Sequence, residues 1–320
     1  MPIEIQELAT STATGARPAS SPAHALSRAP LEVPAARLSF AESARALRRL
    51  PWFPLIVIAV FVLISLFGQW LTPVSDSAQN LRLRFLPPAW LEGGNIEFLL
   101  GTDNLGRDLL SRIIVGARAS FIVAISALAF GSALGSLIGL ACGYFGGRLD
   151  SFLMRTADGV MAFPLVLAAL LLVAVIGPGV HTVVIAVSLI LWARFARLIR
   201  SEVLSVRERD FVKLARIAGA SNLRIMLVHI LPNVLNSVVV LLTLQLGFVI
   251  IVEATLSFLG AGVPPPTPTW GQMVASGRTY IETAWWMSLF PGLAIAVVVL
   301  SFNLLGDWLR DHLDPKLRQL

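Results

Sequence analysis

The sequence predicts an all-α integral membrane protein with six transmembrane helices, and three observations predict it. Of 320 residues, 56% are hydrophobic and only 14% are charged, a balance that belongs in a bilayer. Apolar segments near the roughly 20 residues needed to cross a hydrocarbon core recur along the chain. The basic residues gather at the ends of those segments, so the pI near 10.6 reads as membrane topology and argues against nucleic acid as a partner.

Residues 1–50 are expected to form a disordered cytoplasmic N-terminal tail. They are rich in Ala, Ser, Thr and Pro and lack the apolar content needed to offset ordering entropy. Arg37, Arg45, Arg48 and Arg49 accumulate just before the apolar run Trp52–Leu71, the arrangement of an uncleaved signal anchor. Residues 51–118 then comprise this anchor and an outer connector. Residues 119–306 form the membrane core, with spans expected over Ala119–Tyr144, Val160–Ile176, Val180–Phe195, Val234–Val252 and Trp286–Leu305, and residues 307–320 form a cytoplasmic C-terminal tail. With the N-terminus inside, 19 of the 25 Lys and Arg fall on the cytoplasmic side, as the positive-inside rule requires. Gly131, Gly135, Gly139 and Gly143 repeat every four residues and stack on one helix face. They predict a tight seam against another span or against a partner subunit.

Energy-yielding chemistry has no visible residues. The only lysines are Lys213 and Lys316, neither preceded by Gly, so no GxxxxGK[ST] phosphate loop exists. His24, His181, His229 and His312 are scattered and form no HExxH or paired-carboxylate site, so no catalytic residue and no metal ligand is expected. Cys142 is alone in an apolar run, which excludes an intrachain disulfide or cysteine zinc site. Asp158, Glu253 and Asp307 are expected at span ends, where a charge is far cheaper than at the midplane, so ion coupling has little support.

The most informative stretch is the predicted cytoplasmic loop Ser201–Pro232. Asp210 can open a short helix, where a carboxylate meets the exposed amides and the positive dipole end. Phe211, Leu214, Ala215 and Ala218 recur at helical spacing, and Gly219 supplies the left-handed geometry that ends a helix. Ser221 or Asn222 can cap a second helix, and Pro232 is expected where the chain turns into the fifth span. A helix, a Gly turn and a second helix at the membrane face make a rigid element that another protein can approach closely.

This element resembles the coupling loop of ABC importer permeases, whose pattern is Glu-Ala-Ala, three residues, Gly, nine residues, Ile-x-Leu-Pro. Ala215, Gly219, Leu231 and Pro232 match at that spacing, while Lys213, Leu214 and His229 depart from it. Asp210-Phe211-Val212, Ala215-Arg216, Gly219-Ala220-Ser221 and His229–Asn233 are similar to the peptide branch. Leu100–Ser120 (LGTDNLGRDLLSRIIVGARAS) and Leu256–Met273 (LSFLGAGVPPPTPTWGQM) resemble segments of the peptide, nickel and glutathione importers, in particular their dipeptide-type C permease. Gly101, Gly106 and Gly116, with Asp103, Arg107, Asp108 and Arg112, suggest a short outer helix. Gly260, Gly262 and Pro264–Pro266 suggest a fixed bend with Trp270 at the interface.

The resemblance implies a type I ABC importer permease with a cytoplasmic helix-Gly-helix coupling loop, in the bacterial inner membrane with both termini cytoplasmic. It implies as partners a homologous second permease, two ATPase subunits and an extracytoplasmic solute-binding protein, together with membrane lipid. No cofactor is then expected in this chain, because ATP and Mg would be bound by the partner subunits. The expected cargo is a di- or oligopeptide, with nickel or glutathione as the alternative within the family and an ion-coupled secondary carrier as the alternative outside it. Asp210, Phe211, Lys213, Ala215, Ala218, Gly219 and Pro232 would couple to the ATPase. Asn236, Thr243 and Gln245 are polar within the fifth span and are candidates either to line the path or to bond neighbouring helices.

Overall fold

We describe a computed structural model of the chain at residues 50–72 and 78–313; the expected N-terminal tail to residue 49 and the end of the C-terminal tail, residues 314–320, lie outside the described residues. Nine helices with their connections account for the described chain: α1 (Trp52–Leu71), α2 (Leu109–Phe145), α3 (Gly147–Ala162), α4 (Leu165–Ile176), α5 (Val180–Val206), α6 (Asp210–Ile217), α7 (Asn222–Phe258), α8 (Trp270–Arg278) and α9 (Trp286–Leu313). Five of them, α1, α2, α5, α7 and α9, are long and apolar enough to cross a membrane. The consecutive pair α3 and α4 meets the same test together but is bent by 89°.

The expected third span Val160–Ile176 is therefore a broken one. Pro164 has no N–H to continue the helix and disfavours helical geometry at the residue before it, and Phe163 is extended (φ −84°, ψ 132°). The pair still carries the chain across. The four glycines of α2 face α5 in the order Gly131–Leu191, Gly135–Phe195, Gly139–Ile199 and Gly143–Val203, both numbers rising together. α2 and α5 thus run parallel, and the segment between them has to return the chain to the opposite side. With that return, the described chain crosses six times.

The same glycines settle the nature of the seam, which lies inside this chain. A methyl group added at Gly135 would sit 2.6 Å from Phe195 Cβ, and one at Gly143 would sit 2.7 Å from Val203 Cβ. Backbones approach here more closely than any side chain permits, which is how helices gain van der Waals contact in lipid. α3 is tied to α5 by two ion pairs: Arg200 holds Asp150 in a bidentate contact (Nη2 to Oδ2 2.6 Å), and Arg197 meets Asp158.

α1 lies against α2 and α9. Phe61 is buried among Phe121, Trp270 and Phe302, with ring centroids 5.9, 5.4 and 6.3 Å away. Ser65 donates to Phe61 O (2.7 Å), so its hydroxyl has a partner in a segment where water supplies none.

α2 begins ten residues before the expected Ala119, so the boundary expected at residue 118 falls inside a helix. Asp108 caps it, accepting from Ser111 N (2.8 Å) and Ser111 Oγ (2.6 Å). The expected short outer helix is instead a folded loop. Thr102 N donates to Leu86 O (3.0 Å), and Leu86 N to Thr102 Oγ1 (2.9 Å). Asp103 accepts from Leu105 N (2.8 Å) and Arg107 N (3.0 Å) and pairs with Arg107 (2.7 Å) and Arg112 (3.6 Å).

Trp270, expected at the interface, is buried, its Nε1 donating to Ile113 O at 2.8 Å. Trp286 Nε1 donates to Thr102 O at 3.1 Å. These two indoles fasten the loops at this end of the bundle onto it. Glu253, expected at a span end, is fully buried inside α7 and accepts from Ser120 Oγ (2.9 Å) and Ser257 Oγ (2.7 Å). The C-terminal tail expected from residue 307 is helical to Leu313 as the end of α9.

Candidate functional site

The element between α5 and α7 folds for local reasons. α6 ends in a left-handed turn: Gly219 has φ +81°, its N–H reaches Arg216 O (3.1 Å), and Ala220 N reaches Ala215 O (3.1 Å). That pair of bonds is the Schellman closure of a helix end. Asp210 is the first residue of α6 and is exposed, and Arg209 before it makes no side-chain cap bond. Ser221 caps the next helix, accepting from Arg224 N at 3.4 Å.

The second helix of this element is not separate. Asn222–Phe258 is one continuous 37-residue helix, roughly 55 Å long at 1.5 Å per residue. Pro232, expected at a turn into the span, lies within it. The preceding Ile225–Ile230 segment is a π-helical turn, and Leu231 N reaches back to Met226 O. The widened turn lets the helix pass the residue that has no N–H.

Burial decides which face is free. Val212 is fully buried, and Ala215 and Ala220 pack against the core. Of the residues expected to meet a partner, Asp210, Phe211, Lys213, Ala218 and Gly219 are exposed, whereas Ala215 turns inward. Leu214 (64% exposed), Ile217 (82%) and Leu223 (64%) extend the outward apolar stripe. The spacing of 211, 214 and 218 carried part of that signal, since those positions share one side of a helix; Ile217 was not in it.

The bend is joined to the bundle by three contacts that no sequence pattern marked. Tyr144 Oη, at the end of α2, donates to Asn222 Oδ1 (2.7 Å), and the Arg216 guanidinium lies over the Tyr144 ring at 6.0 Å. Arg207 Nη1 donates to Gly143 O (2.9 Å). α6 thus touches α2 through Arg216 and Tyr144, and on either side of it the end of α5 and the start of α7 are each hydrogen-bonded to the end of α2.

The three polar residues expected along the fifth span separate. Asn236 is exposed. Thr243 is buried and donates to Val239 O of its own helix (3.0 Å). Gln245 is buried and accepts from Arg194 Nη1 of α5 (3.2 Å). Gln245 thus bonds a neighbouring helix, whereas the hydrogen bond of Thr243 stays within its own. Arg194, which the count of basic residues places with the cytoplasmic loop, sits well inside α5, because that helix runs on to Val206.

Comparison with known proteins agrees with this architecture. Residues 135–319 match the family described as binding-protein-dependent transport system inner membrane component, and residues 48–88 match the N-terminal TM domain of oligopeptide transport permease C. A di/tripeptide transport system permease protein DppC of Pseudomonas aeruginosa (strain UCBPP-PA14) is 45% identical over 88% of this chain and 91% of its own length. A nickel transport system permease protein NikC of Escherichia coli (strain K12) is 42% identical over 82% of this chain and 93% of its own. The fold is similar to a chain of the inward-facing MetNI methionine ABC transporter, with TM-score 0.53 and 17% identity over 64% of this chain and 96% of that one. With more than half its length matched and relatives above 40% identity over four fifths of it, the chain belongs to the family of inner-membrane permease components of binding-protein-dependent ABC importers.

Proposed function

We propose that this chain is one half of a peptide-conducting pore in the bacterial inner membrane, moved by ATPase subunits that dock on the α6 bend. The observation that carries the coupling role is the outward stripe Phe211, Leu214, Ile217 and Ala218. It lies on a helix closed by a Schellman turn, and Asn222, which opens the helix after that turn, is hydrogen-bonded to Tyr144 at the end of α2. An exposed apolar stripe of this kind, rimmed by Arg209, Lys213 and Arg216, suits a protein partner with an apolar groove and an acidic edge.

The partners are a homologous second permease, two ATPase subunits that bind ATP and Mg, and an extracytoplasmic solute-binding protein that delivers cargo. The bend, the end of α2 and both termini then face the cytoplasm, in accord with the excess of basic residues on that side. Di- and oligopeptides are the cargo best supported, since the DppC relative is named for di- and tripeptides. Nickel is the second reading, because the NikC relative is nearly as similar.

Reconstitution of the full complex in proteoliposomes tests both. ATP-dependent uptake of a labelled dipeptide is expected, insensitive to collapse of ion gradients. Uptake of nickel and not of peptide would replace the cargo, and uptake driven by an ion gradient without ATP would overturn the reading altogether.

A further inference from the structure

α5 carries three arginines within two turns, and they are not treated alike. Arg197 pairs with Asp158 and Arg200 with Asp150. Arg194 has no carboxylate within 4.0 Å among the described residues. It is half-buried, and its guanidinium lies over the Phe248 ring at 4.1 Å from the centroid while Nη1 donates to Gln245 Oε1 at 3.2 Å. Both of those partners are on α7.

Depth makes this arrangement unusual. Gln245 lies midway along the 28-residue stretch Leu231–Phe258, so about 20 Å of helix separate it from either end. Arg194 is held there, close to the midpoint of the 27-residue α5, inside two helices long and apolar enough to span the membrane. A cation at that depth is not tolerated against lipid tails, and such residues face a protein interior or a water-filled path. Phe248 and Gln245 fix the plane of the guanidinium, and they occupy one N–H and one ring face. The remaining donors keep the fork geometry that fits a carboxylate with two parallel hydrogen bonds.

We infer that the α5–α7 contact at Arg194 is a carboxylate-binding station on the translocation path, with Arg194 receiving the free carboxylate of a passing peptide and Gln245 positioning the guanidinium. The inference rests on the proposed peptide cargo and goes beyond it by naming a contact. The station supplies within the spanning helices the counter-charge that an anionic terminus otherwise loses with its water, and the exchange of water for Arg194 keeps the cost of crossing low.

The test uses the complete transporter with its binding protein saturated by a dipeptide bearing a free carboxylate, and variants recovered as assembled complex at wild-type yield. R194Q is expected to lower the maximal uptake rate by about 10- to 100-fold, the range for losing one hydrogen bond to a charged group, and R194K to lose less, since it keeps the positive charge though not the two-bond fork. In a chain also carrying C142A, R194C is expected to react with water-soluble methanethiosulfonates. Attachment of an ethylammonium group should then recover uptake, and attachment of an ethylsulfonate group should not.

Uptake by R194Q at the wild-type rate overturns the inference alone, as does an R194C thiol that water-soluble reagents fail to reach. Equal loss in R194Q and R194K, with no recovery by the ammonium group, also overturns it and leaves Arg194 a structural role. A wild-type complex that imports no peptide removes the peptide reading itself.

Discussion

Gly219→Ala isolates the geometry of the bend from its packing. A Cβ at this position meets no heavy atom within 4 Å, so the substitution causes no clash and removes no contact. Its whole effect comes from φ +81°, a left-handed conformation that costs an L-residue other than glycine about 1–2 kcal/mol. If the chain relaxes to avoid that cost, it gives up Gly219 N to Arg216 O and Ala220 N to Ala215 O, both 3.1 Å, each worth roughly 0.5–1.5 kcal/mol net. Either way the native bend is disfavoured by a factor of about 5–30.

ATP-driven uptake by the reconstituted complex, normalised to inserted chain, is expected to fall accordingly. Gly219→Asn should fall less, because Asn visits the left-handed region more readily. Undiminished uptake by Gly219→Ala would refute the claim that the native turn transmits force. An equal loss in Gly219→Ala and Gly219→Asn would refute the claim that backbone conformation is the cause.

Ile217→Asp, at the most exposed position of the stripe, is expected to abolish co-purification of the ATPase subunits while leaving membrane insertion intact. Val212→Asp on the buried side should instead destabilise the permease itself, seen as a lower midpoint in thermal aggregation of the detergent-solubilised chain. Gly135→Val should separate α2 from α5 and cost about 1–3 kcal/mol through overpacking, measured as increased proteolysis in the membrane. Tyr144→Phe and Asn222→Ala should each weaken coupled uptake, and the double variant should be no worse than the more damaging single one, since they remove the same 2.7 Å bond. Glu253→Leu leaves the Ser120 and Ser257 hydroxyls without their buried acceptor and should cost about 1–3 kcal/mol, read as faster unfolding in denaturant.

Much of the bend was legible in the sequence because its rules are local. Gly219 announced a left-handed turn, and Ser221 stood at the right spacing to cap the helix after it. Pro232 misled, since a proline that usually marks a helix start was absorbed by a π-helical turn inside a continuous helix. Ala215 misled for another reason: helical spacing gives the angle of a residue on its own helix, but not which side the rest of the protein covers. Hydropathy draws the third span as one straight run over Val160–Ile176, because Pro164 breaks a helix without changing its mean apolarity; the structure has a bent pair that begins at Gly147. Glu253 and Trp270 read as interfacial from their position near span ends. Ser120, Ser257 and Ile113 instead give them buried partners, and two of those partners lie more than 130 residues away.

The sequence alone determined the class, the number of crossings and the place of the bend. Length of apolar run, distribution of basic residues and tolerance of positive φ are properties of a segment and survive without its neighbours. Only the tertiary structure decided that the glycine stripe closes on α5, that Tyr144 holds Asn222, and that Arg194, unlike Arg197 and Arg200, is left without a described acidic partner and turns instead to Gln245 and Phe248 of α7. Those facts depend on which distant side chains share a contact, and in a bilayer that choice is made by backbone approach and polar satisfaction between helices that hydropathy reads as alike.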